Sequence, residues 1–239
     1  MEIWVGTSGW SYPGWRRLFY PPELKPADWL DYYATRFSTV EINMTFYRSP
    51  KPETLRNWLA KVPENFTFTL KASRQITHLK KLKKVEHDLE HLAFLAGQLR
   101  NRLGCLLYQL PPSLTIDLDL LSEFLSSLPS GFRHVIEFRH PSWYEPKVYD
   151  LLSQHRVTFC VVSSGRVPPE LVVTSETAYF RFHGLTGGYR YRYSEEELSL
   201  WSEKISSLKV KECYVYFNND YRAHAVYNAL SLKKMLGLG

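Results

Sequence analysis

The chain has 239 residues, 44% hydrophobic and 23% charged, a balance that excludes disorder and suits one α/β barrel or doubly wound domain. No stretch approaches the ~20 consecutive apolar residues that cross a bilayer, and Met1 leads into a strand-like run rather than a basic leader, so a cytoplasmic protein with no membrane partner is expected. The 30 Lys and Arg exceed the 24 Asp and Glu, giving a net charge of +6 that favours anionic partners.

Eight short runs rich in β-branched and aromatic residues follow one another along the chain. They are Ile3 to Gly6, Thr39 to Asn43, Phe66 to Lys71, Leu103 to Gln109, His134 to Arg139, Val157 to Val162, Tyr179 to His183 and Cys213 to Asn218. Between them lie stretches with apolar residues three and four apart, such as Ala27 to Tyr33, Val85 to Leu99 and Leu118 to Leu128, which predict helices. Strand and helix in alternation imply a parallel sheet. Eight repeats in ~240 residues match the size of a (β/α)8 TIM-like barrel, and no linker divides the chain, so residues 1–239 read as a single domain. Cys105, Cys160 and Cys213 each lie inside an apolar run and read as buried thiols.

A parallel barrel carries its chemistry at the carboxyl ends of its strands, where residues two apart share a face. Here those ends are polar. The second strand ends on Glu41 and Asn43, followed by Thr45; the third ends on Lys71 and the fourth on Gln109. The fifth carries Glu137 and Arg139, the seventh Arg181 and His183, and the eighth Tyr216 and Asn218 before Asn219 and Asp220. Inward-facing Lys71, Arg139 and Arg181 would converge with Glu41, Glu137 and His183. Such a cluster describes either a pocket for an anionic substrate with an acid/base pair or an ion-pair plug closing the barrel.

Several segments carry a family resemblance. Gly6-Thr7-Ser8-Gly9-Trp10-Ser11-Tyr12, Val40-Glu41-Ile42-Asn43-Met44-Thr45-Phe46-Tyr47, Tyr108-Gln109-Leu110-Pro111-Pro112, Glu137-Phe138-Arg139-His140-Pro141-Ser142-Trp143, Arg181-Phe182-His183-Gly184 and Tyr216-Phe217-Asn218-Asn219-Asp220 resemble, in order and over nearly the whole chain, the YecE-like family of unknown function. The resemblance implies a TIM barrel and assigns no catalytic residue. Many members carry an acidic residue after the sixth strand, where this chain reads Val162-Ser163-Ser164-Gly165.

Other motifs divide between functional and structural readings. The turns Gly6 to Gly9 and Gly184 to Gly188 would present backbone N–H groups to an anion, or serve as a tight turn and a lid. Lys80, Lys81, Lys83 and Lys84, with Tyr189 to Tyr193 in which Arg190 and Arg192 alternate with tyrosines, would grip nucleic acid or line a solvated surface. His87 and His91 fall opposite the apolar stripe of their helix and read as surface residues rather than zinc ligands. Ser8, His183 and Asp220 have the residue types of a hydrolytic triad and nothing more. His78 is expected at the rim or in a structural hydrogen bond. Trp10, Tyr12, Trp15, Tyr47 and Trp143 would wall a pocket or pack the core.

The sequence therefore favours an enzyme of hydrolase or lyase type acting on an anionic small molecule, phosphorylated ones included. Glu41 or Glu137 would be acid or base, and His183 a proton shuttle or orienting group. Lys71, Arg139 and Arg181 would hold the anion, with Asn43, Tyr47, Gln109, Asn218, Asn219, Asp220 and Trp10 around it. Two alternatives stand: a nucleic-acid-binding or processing protein, and a metal-dependent hydrolase or isomerase with a divalent ion on Glu41, Glu137 and His183. No organic cofactor is expected, since no dinucleotide fingerprint is present.

Overall fold

All eight expected runs are strands of one sheet in the computed structural model, which describes residues 1–238. They are β1 (Glu2–Thr7), β2 (Thr39–Ile42), β3 (Thr67–Lys71), β4 (Leu103–Gln109), β5 (His134–Glu137), β6 (Thr158–Ser164), β7 (Thr177–Gly184) and β8 (Glu212–Phe217). Every neighbouring pair is parallel, in the order β1-β8-β7-β6-β5-β4-β3-β2. A bridge between Ser8 and Glu41 closes the seam of the barrel, reinforced by the Gly9 N–H donating to the Glu41 carbonyl at 2.7 Å. Closure removes the exposed sheet edges.

Gly6 permits that seam. A Cβ at this position would lie 2.4 Å from the Thr39 carbonyl oxygen, so β1 and β2 approach closely only because no side chain intervenes. Gly6→Ala is expected to cost roughly 1–3 kcal/mol, the usual range for overpacking. A lowered urea midpoint with unchanged slope would register it, and a wild-type midpoint would show that the seam has slack.

The connecting helices are α1 (Trp29–Ala34), α2 (Met44–Tyr47), α3 (Pro52–Ala60), α4 (Glu86–Leu99), α5 (Leu118–Ser126), α6 (Pro146–Gln154), α7 (Glu195–Ser206) and α8 (His224–Met235). In α4 the predicted stripe is the buried one: Leu89, Leu92, Leu95 and Leu99 face the barrel, and burying each contributes about 1.5–3 kcal/mol. His87 and His91 are exposed on the other side. The Asp117 carboxylate caps α5 by accepting from the Leu120 N–H at 3.0 Å, and Ser194 and Glu197 form a capping box on α7. The rhythm breaks once among the described residues, where β6 runs to β7 without a helix. Pro168 and Pro169 remove two backbone donors in that connection.

The barrel interior is layered. Trp4 stacks on Tyr214 at 4.7 Å, and Cys105, Leu107, Val135, Cys160, Val162, Tyr179 and Tyr216 fill the space with them. All three thiols are buried and free, as expected. The outer strand faces and the helices build a second, larger core that absorbs most of the aromatic surplus. There Trp15, Tyr20, Trp29 and Tyr33 pack together, with Tyr20 flat against Trp29 at 4.8 Å. Trp15 and Trp143 are fully buried in this core, so neither walls a pocket.

Candidate active site

Side-chain alternation puts Glu41, Lys71, Gln109, Glu137 and Arg181 on the inward face near the ends of their strands. At the centre lies the Arg181 guanidinium, fully enclosed. Its Nη2 donates to Glu41 Oε1 at 2.6 Å, and its Nη1 donates to Glu137 Oε2 and more weakly to Gln109 Oε1 at 3.3 Å. Glu41 is further held by the Ser8 hydroxyl at 2.6 Å and the Tyr179 hydroxyl at 2.5 Å. Burial alone would raise the Glu41 carboxyl, but the Arg181 charge and these hydrogen bonds outweigh it and hold the group below the usual range. Glu137 is likewise buried, yet Arg139, Arg181 and His183 keep it well below that range. Both carboxylates are therefore ionised, and each is committed to arginine.

A second tier sits above them. Arg139 Nε pairs with Glu137 Oε1, and Arg139 Nη2 donates to His183 Nε2 at 2.9 Å. The same histidine nitrogen lies 3.3 Å from Glu137 Oε1, so the neutral ring accepts from arginine while a protonated ring would donate to glutamate. Burial and the Arg139 charge lower His183 to about 4, which leaves it neutral near pH 7. Its Nδ1 faces the Asn218 amide at 3.0 Å, and Asn218 lies 3.5 Å from Asn43. Asn43 Oδ1 is buried without a hydrogen-bond partner. Lys71 Nζ donates to Gln109 Oε1 at 2.9 Å and lies 4.2 Å from the centre of the Phe46 ring. Burial and Arg181 bring its amine down to about 7.

The two tiers differ in access. Glu41, Glu137 and Arg181 are sealed, whereas Lys71 and His183 are each 8% exposed and the Arg139 side chain 15%. Arg139, His183 and Asn218 open into a cleft of about 520 Å³, walled by Ser164, Arg166 and the glycine turn after β7. Gly184 has φ +87°, and a Cβ there would meet the Gly188 carbonyl oxygen at 2.3 Å, so the turn folds tightly on itself.

Nine predicted site residues thus meet at the mouth: Glu41, Asn43, Lys71, Gln109, Glu137, Arg139, Arg181, His183 and Asn218. Others are placed elsewhere. Asn219 is fully buried and points outward, donating to the Tyr191 carbonyl and to Asn228 of α8 at 2.9 Å each, so it anchors a loop instead of lining the mouth. Trp10 packs edge-on against Trp58 of α3, and Tyr47 is 75% exposed beside Phe46. Asp220 receives the Trp15 indole N–H on its carbonyl, while burial raises its half-buried carboxyl. The triad types do not form a triad, because the Ser8 hydroxyl donates to Glu41. His78 bonds the Thr77 hydroxyl at 2.9 Å and packs on Phe46.

The conditional metal set of Glu41, Glu137 and His183 does not converge either. The Arg181 guanidinium stands between the two carboxylates, and no group of three metal-ligating side chains gathers among the described residues. Of the basic surface segments, Lys80 pairs with Asp88 at 2.6 Å and Tyr193 is buried against Phe182. Arg190 lies over Tyr189 and Tyr221. Phe46 and Tyr179 were not singled out by sequence, and Ser8 was read only as a triad type and not as a partner of Glu41. Parity would have found Tyr179, two residues before Arg181, and Ser8, two after Gly6.

A closed parallel barrel with its ionisable side chains gathered at the carboxyl ends of the strands is a TIM barrel with a polar mouth. The chain belongs to the DUF72 family, "Protein of unknown function DUF72", whose model matches residues 4–239. Among solved structures it is similar to a DUF72 family protein of Thermotoga maritima, at 36% identity and a TM-score of 0.92, covering 99% of this chain and 100% of that one. It is 25% identical to the UPF0759 protein YunF of Bacillus subtilis, over 99% of this chain and 95% of that protein. It is 32% identical to the UPF0759 protein YecE of Escherichia coli K12, over 59% of this chain and 50% of that protein. No helix among the described residues is long and apolar enough to cross a membrane.

Proposed function

We propose that the chain is an enzyme of hydrolase or lyase type that binds an anionic small molecule in the cleft at the mouth of the barrel. The observation that carries this reading is the difference in access between the tiers: the carboxylates are fully sealed internal counter-ions, whereas Arg139, Lys71 and His183 each keep a small exposed edge. A cationic entrance around a neutral histidine suits a carboxylate or phosphate. Arg139, already half neutralised by Glu137, is the anion anchor. Neutral His183 accepts a proton, and Glu137, 3.3 Å from its Nε2, stabilises the imidazolium that results. Lys71, near 7, is a proton donor or acceptor at neutral pH. Glu41 acts by fixing Arg181.

Inorganic phosphate or citrate at about a hundred times its dissociation constant is expected to stabilise the wild-type protein by about 2.7 kcal/mol. Arg139→Ala is expected to lose most of that gain, and thermal denaturation with and without each anion checks it. An unshifted wild-type midpoint at low ionic strength, or an Arg139→Ala variant that responds as the wild type does, would overturn the reading.

A further inference from the structure

Lys71 differs from the other cations of the mouth. Arg181 is paired with both Glu41 and Glu137, and Arg139 with Glu137, but no carboxylate pairs with Lys71 among the described residues. An ammonium has three N–H groups to satisfy. Here the hydrogen-bond acceptor is Gln109 Oε1, an uncharged oxygen that also takes a hydrogen bond from Arg181. The Phe46 ring favours the ammonium, yet burial and the neighbouring guanidinium weigh more, and the amine stands at about 7. The side chain is held at both its polar and apolar flanks, by Gln109 and Phe46, and still keeps a window to solvent. A surplus buried cation without a counter-ion is poor structural design. It is a suitable nucleophile beside an anion site.

We infer that Lys71 forms a Schiff base with a small aldehyde or ketone that also carries a carboxylate or phosphate. The inference rests on the anion-binding reading above and deepens it by naming the reacting group of the substrate. The neutral amine adds through its lone pair to the carbonyl carbon, the carbonyl π pair moves to oxygen, and a proton passes from nitrogen to that oxygen, giving a carbinolamine. The hydroxyl then leaves as water after taking one more proton, and the nitrogen lone pair closes the C=N bond of a protonated imine. One water is released, and no electron donor or acceptor enters. The iminium draws electrons from the adjacent carbon, where C–H or C–C cleavage becomes feasible, and His183 is the neighbouring base. Arg139 Nη2 meets His183 at 2.9 Å and Arg181 Nη1 links His183 Nε2, at 3.4 Å, to Gln109 and thence Lys71. Anchor, base and nucleophile are thus linked through Arg181 and Gln109.

The test is reductive trapping on the intact wild-type chain. The protein is incubated at pH 7 with pyruvate, and separately with dihydroxyacetone phosphate, then treated with sodium borohydride and mapped by peptide mass spectrometry. An exposed lysine with a pKa near 10.4 is neutral to about one part in 2,500 at pH 7, whereas Lys71 is about half neutral. Labelling at Lys71 is therefore expected to exceed that at exposed Lys25 and Lys51 on the order of a thousandfold, and the favoured probe distinguishes a carboxylate from a phosphate substrate. In Lys71→Arg the adduct at this position is lost while labelling of Lys25 and Lys51 stays at the wild-type level. Labelling of Lys71 by neither probe above the level of Lys25, in protein that phosphate does stabilise, would overturn the Schiff base and leave the anion site standing. Absence of both labelling and stabilisation would remove both readings.

Discussion

Arg181→Met is expected to destabilise the barrel by about 3–5 kcal/mol at pH 7, the cost of leaving the buried Glu41 charge unpaired. One guanidinium serves two carboxylates, neither of which reaches water, and the Ser8 and Tyr179 hydroxyls that remain on Glu41 cannot replace a full charge. Against a total stability of about 5–15 kcal/mol, that loss is severe. The pH dependence should invert as well. In the wild type, both glutamates are held below their ordinary values, so their contribution is complete above the unfolded value of about 4.3 and is lost as pH falls through the lower folded values. Without Arg181, burial would raise Glu41, while Arg139 remains to hold Glu137 down. Stability would then be greater at pH 5 than at pH 7, because the native state binds more protons than the unfolded chain. Urea midpoints at the two pH values measure this directly. Adding Glu41→Gln to Arg181→Met should recover much of the loss at pH 7, because Glu137 keeps Arg139 as its partner, and an Arg181→Met variant as stable as the wild type would sink the account of the floor as a charge-balanced unit.

Much of this site was legible from strand parity. Pairs such as Glu137 with Arg139 and Arg181 with His183 place charge at two-residue spacing where a buried strand would be apolar, and the barrel brings those positions together. The assignment of depth was not legible. Sequence gives the face of a strand but not how far each residue stands below the rim, and this decides that Glu41 and Glu137 are counter-ions while Arg139 and His183 meet solvent. Strand ends shifted for a related reason. Asn43, Arg139 and Asn218 continue the inward alternation but lie beyond the ends of β2, β5 and β8. Asn219 illustrates the limit of motif reading: it adjoins Asn218 in sequence, faces the opposite way, and is consumed by Asn228 and the Tyr191 carbonyl. Trp15 and Trp143 failed as pocket walls because the same types that stack on ligands also fill a large core.

Lys71→Met is expected to stabilise the protein. Its amine falls from 10.5 to about 7 on folding, a shift whose cost is about 5 kcal/mol at most, as an order-of-magnitude ceiling. Methionine keeps an unbranched chain of similar length against Phe46 and removes the charge, and at about 2–4 °C per kcal/mol in a domain of this size the melting temperature should rise by several degrees. The sign follows from proton uptake. Between pH 7 and 10 the unfolded chain holds a proton on this lysine that the native state has released, so wild-type stability from this group rises with pH, and the penalty is fully present below pH 7. The advantage of the variant should therefore be largest at or below pH 7 and should shrink towards pH 10, which melting curves across that range would record. A variant less stable than the wild type at pH 7 would mean that the Gln109 hydrogen bond and the Phe46 contact outweigh desolvation, making Lys71 a structural residue. A variant that gains stability while losing the trapped adduct would mark a position held against the interest of the fold, and residues retained at such a cost are those that chemistry requires.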